Sequence, residues 1–289
     1  MTVDPCPAKG PILAATDLSA RSDRALRRAA LLARGGGRDL LVLHVLDAEW
    51  PASLAGAHEA EAWRLLARQL EGLPEFVGLP CRPAMERGLP EAAILRAAEA
   101  ERAACLVLGE HRRGGLRDLF AGTTVERVIR AAARPVLMVH QPPSGPYRRV
   151  LVATDFSAPA ARAPEAAAAL GLFDGAALLL AHALEPPRLL GLGDAGLAER
   201  AGAVLEESVR EEAMRGLAAA AAALPAGAGS RIVFGAPAEA LAALAREWRA
   251  ELIVLGTRGA GVLRQALIGS VAAEILARPP CDVLAVPPA

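Results

Sequence analysis

The chain says the same thing twice. Residues 11–19 read PILAATDLS and residues 149–157 read RVLVATDFS. Asp17 and Asp155 lie 138 positions apart, as do His44 in LLVLHVLD and His182 in LLLAHALE. The offset then lengthens to 147. LVLGEHRRGGL at 106–116 matches IVLGTRGAGVL at 253–263, and Gly122-Thr123 carries the same shift to Gly269-Ser270. The second copy thus gains nine residues between its second and third strand candidates. A period beyond roughly 50 residues is too long for a solenoid unit and fits duplication of a whole domain.

Each copy alternates strand-like and helix-like segments. The strand candidates are 11–16, 39–46, 80–86, 104–109 and 135–140, then 149–154, 176–184, 230–235, 251–256 and 281–286. Four of five in each copy are nearly unbroken apolar runs, as parallel strands covered on both faces require. The exception in the first copy, CRPAMER, holds Pro83 and reads as an edge strand. Leu26, Ala29, Ala30 and Ala33 follow the spacing of one helix face, as do Val125, Val128, Ile129 and Ala132, and Leu241, Leu244, Ala245 and Trp248. Pro164 falls inside the expected first helix of copy two, so that helix should start late or kink. The expectation is α/β: two tandem Rossmann-like domains, 1–141 and 148–289. Each should be a five-stranded parallel sheet of order 3-2-1-4-5 with helices on both faces. The join, QPPSGPYRR at 141–149, has three prolines and one glycine, suiting a short, stiff linker. Strand 5 is then a short apolar sheet edge in each copy, which invites edge-to-edge pairing within the chain as an internal pseudo-dimer. A homodimer of whole chains stays open.

Composition narrows the function. The formal net charge is zero, with 32 basic and 32 acidic residues, so no general attraction to nucleic acid or membrane is expected. Lys9 is the sole lysine, and a P-loop needs a lysine after its glycine-rich turn. The four cysteines form no C-x-x-C pair, and Cys105 and Cys281 adjoin apolar runs where a small buried hydrophobe fits. No apolar run reaches membrane-span length and no apolar signal core opens the chain, so cytoplasm is the default compartment.

In an open parallel sheet, ligands bind beyond the carboxyl ends of the strands where strand order reverses. For order 3-2-1-4-5 that place lies between strands 1 and 4, whose ends carry Asp155 and Gly256-Thr-Arg-Gly259. The full pattern is G-x2-G-x9-G-S, with glycines at 256, 259 and 269 that would let the backbone approach phosphate oxygens. The amides of Ser270 and Val271 would open the last helix as an anion site. Asp155 suits a ribose hydroxyl or a Mg²⁺ shell. Ser19 and Ser157 stand where helix N-caps belong, so each Asp could instead only support its turn. His44 and His182 read as satisfied strand-end histidines, His111 lacks a nucleophile partner, and Trp50, Trp63 and Trp248 read as packing residues. The Glu206-Glu207 and Glu211-Glu212 pairs read as a solvated helix face.

ATDFS, LLLAHALE and GTRGAGVLRQALIGSVAAEILARPPCDVLAVPP closely resemble the universal stress protein domain, over nearly all of both copies. That family has a five-stranded parallel sheet, and its ATP-binding members use G-x2-G-x9-G-S/T. The resemblance implies that Thr154 and Asp155 lie beside adenine and ribose, that Ala183 lines the adenine pocket and that Leu255 and Gly256 flank the ribose. It also implies that Gly259, Gly269, Ser270 and Val271 cradle the phosphates. It implies ATP, or AMP or ADP, with Mg²⁺ possible beside ATP. Copy one departs from the motif, with Arg112 at the second glycine, while Asp17, Val45, Gly122 and Thr123 are retained. Three functions compete: a nucleotide-binding stress or signalling module, a slow ATPase or ligase, and a nucleotide-free interaction scaffold. The first is preferred, without catalytic residues and without a metal site of the protein's own.

Overall fold

The computed structural model describes residues 10–46, 52–110, 123–185, 195–258 and 268–288. The first half runs β1 (Ile12–Thr16), α1 (Asp23–Gly36), β2 (Leu40–Leu46), α2 (Ala52–Glu71), β3 (Cys81–Arg87), α3 (Pro90–Ala100), β4 (Cys105–Gly109), α4 (Thr124–Ala131) and β5 (Val136–Val139). The second repeats it with β6 (Arg149–Ala153), α5 (Ala158–Ala169), β7 (Ala177–Leu184), α6 (Ala195–Ala221), β8 (Gly229–Phe234), α7 (Pro237–Glu247), β9 (Leu252–Gly256), α8 (Ser270–Ala277) and β10 (Asp282–Val286). All ten expected strands are present. The added residues of copy two lie between β7 and β8, where α6 has 27 residues against 20 in α2.

The strands form one sheet of order β3-β2-β1-β4-β5-β10-β9-β6-β7-β8. Pairing within each half is parallel and follows 3-2-1-4-5. The halves meet where β5 pairs antiparallel with β10, with Leu137 opposite Leu284. The expected meeting of strand 5 with strand 5 is therefore present, and it fuses the two parallel sheets into one mixed sheet. CRPAMER occupies one outer edge, as expected, and β8 the other.

Side chains alternate between two cores along each strand. Ile12 and Ala14 join α1 and α5 on one face, and Leu13 joins α3, α4, α7 and α8 on the other. Both cores cross the seam: Leu137 and Leu284 share the first, while Met138 and Val283 share the second. Alanine does much of the packing, with Ala25, Ala29, Ala30 and Ala33 of α1 fully buried. Small side chains let helix backbones lie close to the sheet, which matches an aromatic content of only 3%.

Three expectations change. α5 does not start late: Ser157 caps it, and it runs on through Pro164, which is buried inside it. Ser19 is not a cap, because α1 begins only after Ser22. Trp63 is 38% exposed rather than packed away. None of the described helices is long and apolar enough to cross a membrane.

Candidate functional site

β6 ends in a tight turn built by its own polar side chains. The Thr154 hydroxyl accepts from the Phe156 amide at 3.0 Å. Asp155 Oδ1 accepts from the Ser157 amide at 3.0 Å and from its hydroxyl at 2.5 Å. These bonds hold Phe156 in the left-handed region, at φ 63°, where a bulky residue persists only if its surroundings impose it. β1 ends in the same turn, with Leu18 at φ 62° and the matching bonds to Thr16 and Asp17.

Beyond these strand ends the second half encloses a cavity of ≈ 460 Å³. Its wall includes eight of the nine expected residues: Thr154 and Asp155 from the β6 end, Ala183 from β7, Leu255 and Gly256 from β9, and Gly269, Ser270 and Val271 from the α8 start. Gly259 lies outside the described residues. The cavity sits at the reversal of strand order, between β6 and β9. Gly269 is the N-cap of α8 and no side chain caps that helix. Its amide instead donates to Thr257 O at 2.8 Å, and the Thr257 amide donates to Val286 O at 2.8 Å. The helix start is thus fixed to the strand ends, and Ser270, Val271 and Ala272 of its first turn line the cavity at the positive end of the helix dipole.

Gly256 also answers to a packing constraint. A Cβ there would stand 3.3 Å from Pro159 O and 3.4 Å from Ala160 N and Cα. The glycine lets the end of β9 pass the first turn of α5.

Sequence reasoning missed several other wall residues. His182 is a cavity wall and not merely a satisfied strand residue. Its Nδ1 lies 2.7 Å from Thr154 O, which places the proton on Nδ1, and its ring lies 4.3 Å from the Phe156 ring. Pro237 and Leu241 close another side. Their signal was the helix start that follows β8, which points toward the same crevice. Arg258 also lines the cavity. His111 and Trp50 lie outside the described residues, and Glu207, Glu211 and Glu212 are exposed as expected.

The first half has a matching cavity of ≈ 360 Å³ that includes Thr16, Asp17, His44, Val45 and Gly109. Burial pushes the Asp17 carboxyl up, but its bonds to Ser19 and Ser22 outweigh this and hold it below the usual carboxylate range. Arg112 and Gly122 lie outside the described residues. Within them, the start of α4 differs from that of α8. The Thr123 hydroxyl accepts from the Glu126 amide at 3.2 Å, and Glu126 Oε2 accepts from the Thr123 amide at 3.3 Å. This closed capping box puts a carboxylate where α8 has none. Among the described residues no group of three or more His, Cys, Asp or Glu could hold a metal ion.

Fold and cavity together define a duplicated Rossmann-like α/β protein with a crevice at the switch point of each half. The chain belongs to the universal stress protein family, whose model matches residues 10–140 and 146–287. A universal stress protein of Thermus aquaticus is 37% identical over 141 residues, 48% of this chain and 98% of that one. One from Mycobacterium tuberculosis H37Rv is 28% identical over 145 residues, 48% of each chain. Among solved structures, a universal stress protein from Archaeoglobus fulgidus covers 96% of this chain and 98% of its own, at 23% identity and a TM-score of 0.67. A protein of unknown function from Pseudomonas aeruginosa PAO1 covers 97% and 93%, at 21% identity and a TM-score of 0.65.

Proposed function

We propose that this chain is an ATP-binding stress or signalling module in which the second half carries the nucleotide site. One observation supports this above the others: the uncapped start of α8 opens into a cavity that also holds Asp155. A free helix N-terminus favours phosphate, and an acceptor-only carboxylate suits the ribose hydroxyls. Ser270 adds a hydroxyl beside the first-turn amides. Apolar groups of Ala183 and Leu241 offer the faces that an adenine ring needs. AMP or ADP would use the same base and ribose contacts. In this reading ATP occupancy biases the conformation or partner choice of the protein, and hydrolysis is incidental.

Isothermal titration with ATP tests it. One strong site per chain is expected, lost in Asp155→Ala and in Gly259→Arg, whose side chain would enter the phosphate path. Phosphate release should stay slow beside binding. Rapid turnover would favour an ATPase. No binding of any adenine nucleotide would leave the scaffold reading.

A further inference from the structure

The second half has another hollow, at the end of its strands away from the cavity that holds Asp155. There the linker passes from β5 to β6. A polar cavity of ≈ 390 Å³ opens between the linker, the end of α7 and the starts of β6, β9 and β10. Its wall is unbalanced in charge. Arg28 and Asp282 offset each other as an ion pair at 3.4 Å. That leaves the guanidiniums of Arg149, Arg246 and Arg249 against the single carboxylate of Glu251.

None of these three arginines has a carboxylate partner among the described residues, whereas Arg27, Arg82, Arg96 and Arg231 each end in an ion pair. Arg149 is half-buried, and its Nε donates to Arg249 O at 2.7 Å. That bond anchors the side chain beside the end of α7 and leaves its two terminal nitrogens for another acceptor. Glu251 is already engaged, since its Oε2 accepts from the Arg148 amide at 2.6 Å. The repeat supplies an internal comparison. Arg149, Arg246 and Glu251 correspond to Pro11, Glu99 and Ala104 of the first half, and α3 ends without a basic residue where α7 ends with Arg246. The fold itself therefore does not ask for these charges. One solvated arginine on a surface is close to neutral in energy. Three around one hollow repel one another unless an anion lies between them.

The wall also indicates which anion. Guanidinium forks match phosphate oxygens, and Gln141 and Ser144 of the linker add uncharged donors. The apolar wall is only Ala245, Ala250, Pro142 and Pro280, with no aromatic ring among the described residues to receive a base. We propose that this hollow binds a free, multiply charged phosphate anion of the pyrophosphate class, held by Arg149, Arg246 and Arg249, and that the bound anion fastens the linker to the second half. The site is independent of the reading of the other cavity as the ATP site.

Pyrophosphate is the probe, titrated into the full chain at low salt and followed in parallel by thermal melts. Binding at this hollow should raise the melting temperature and weaken as salt rises. Arg246→Gln and Arg249→Gln should each lower the affinity about tenfold. Both side chains are exposed, and melts of the anion-free variants check that the fold is kept. Gly269→Asp, which sets a carboxylate at the start of α8, should leave this binding unchanged, so an anion held in the ATP cavity is told apart from one held here. Absence of pyrophosphate binding would overturn the proposal, as would full affinity in the double arginine variant or loss of all binding in Gly269→Asp. ADP carries the same diphosphate on a nucleoside and should displace pyrophosphate from this hollow no better than pyrophosphate itself does. Displacement at a concentration about tenfold lower would make the hollow a nucleotide site and overturn the assignment.

Discussion

Equivalent glycines end β4 and β9, yet their surroundings differ. At Gly109 the nearest atom to an added Cβ is Arg21 O, at 3.6 Å, an ordinary contact. At Gly256 the nearest are backbone atoms of Pro159 and Ala160, at 3.3–3.4 Å, which cannot swing aside as a side chain can. Gly109→Ala should therefore change stability by less than about 0.5 kcal/mol, whereas Gly256→Ala should cost about 1–3 kcal/mol, as overpacking does. Urea denaturation of both variants checks this. Equal costs would mean that the close approach of β9 to α5 is not what requires glycine. The glycine spacing was legible in the sequence, but the packing constraint at Gly256 was not, because nothing in a sequence tells how near another backbone comes. Gly216 makes the same point: the Phe156 ring rests where its Cβ would be, 2.9 Å away.

Strands were the most legible elements, because burial on both faces leaves almost no polar residue to blur their limits. Their order, 3-2-1-4-5 in each half, is the one preferred for a doubly wound sheet of five strands. Helix starts were less legible. Thr123-x-x-Glu126 is a written capping box, but it overlaps the end of the glycine pattern that holds Arg112. Ser19 looked like a cap because Ser157 is one; β1 and α1 are instead joined by a longer turn tied down by Gln69, which bonds Thr16 and Asp23 from α2. Such a contact spans about fifty residues and has no local signature. The missing cap of α8 yields a prediction at this scale. Gly269 has φ −60° and ψ 151°, the conformation of an ordinary N-cap. Gly269→Asp should supply the absent cap and raise stability by a few tenths to about 1 kcal/mol, through the cap bond and the dipole. It should also weaken ATP binding, because its carboxylate takes the place of phosphate. Thermal melts and ATP titration of this variant should move in opposite directions; a variant that gained stability and retained full affinity would place the phosphates elsewhere.

At the scale of the molecule, the seam is the most buried part of the sheet. Leu137 and Leu284 face each other across it on the same core face, and antiparallel partners lie within the Cα separation that a disulfide spans. Leu137→Cys with Leu284→Cys should cross-link within one chain, read as a mobility shift reversed by reductant. Beside the seam a buried cluster ties the linker to both halves. Asp282, 2% exposed, accepts from the His140 amide at 2.8 Å, the Gln141 amide at 3.2 Å and the Tyr147 hydroxyl at 2.6 Å. Arg28 of α1 lies 3.4 Å from the same carboxylate, stacks on the Tyr147 ring at 3.8 Å and donates to Gly145 O at 2.7 Å. This is why the proline-rich join is held in place and not merely stiff. Burial, and then the Asp282 charge, push the Tyr147 hydroxyl well above its ordinary value and Cys281 up to about 12. Both groups release protons sooner in the unfolded chain, near pH 8.5 for a thiol and about 10 for a phenol. The stability they contribute is complete below those values and is lost as pH rises toward their folded values, Cys281 first. The melting temperature should accordingly decline from about pH 9 upward. Cys281→Ala should remove the early part of that decline and Tyr147→Phe the later part. At neutral pH Tyr147→Phe should cost about 1.5–3 kcal/mol, the worth of a hydrogen bond to a carboxylate. Melts of the wild type and both variants from pH 7 to 12 decide it: an alkaline decline that neither substitution flattens would show that the seam opens for some other reason than ionisation within this cluster.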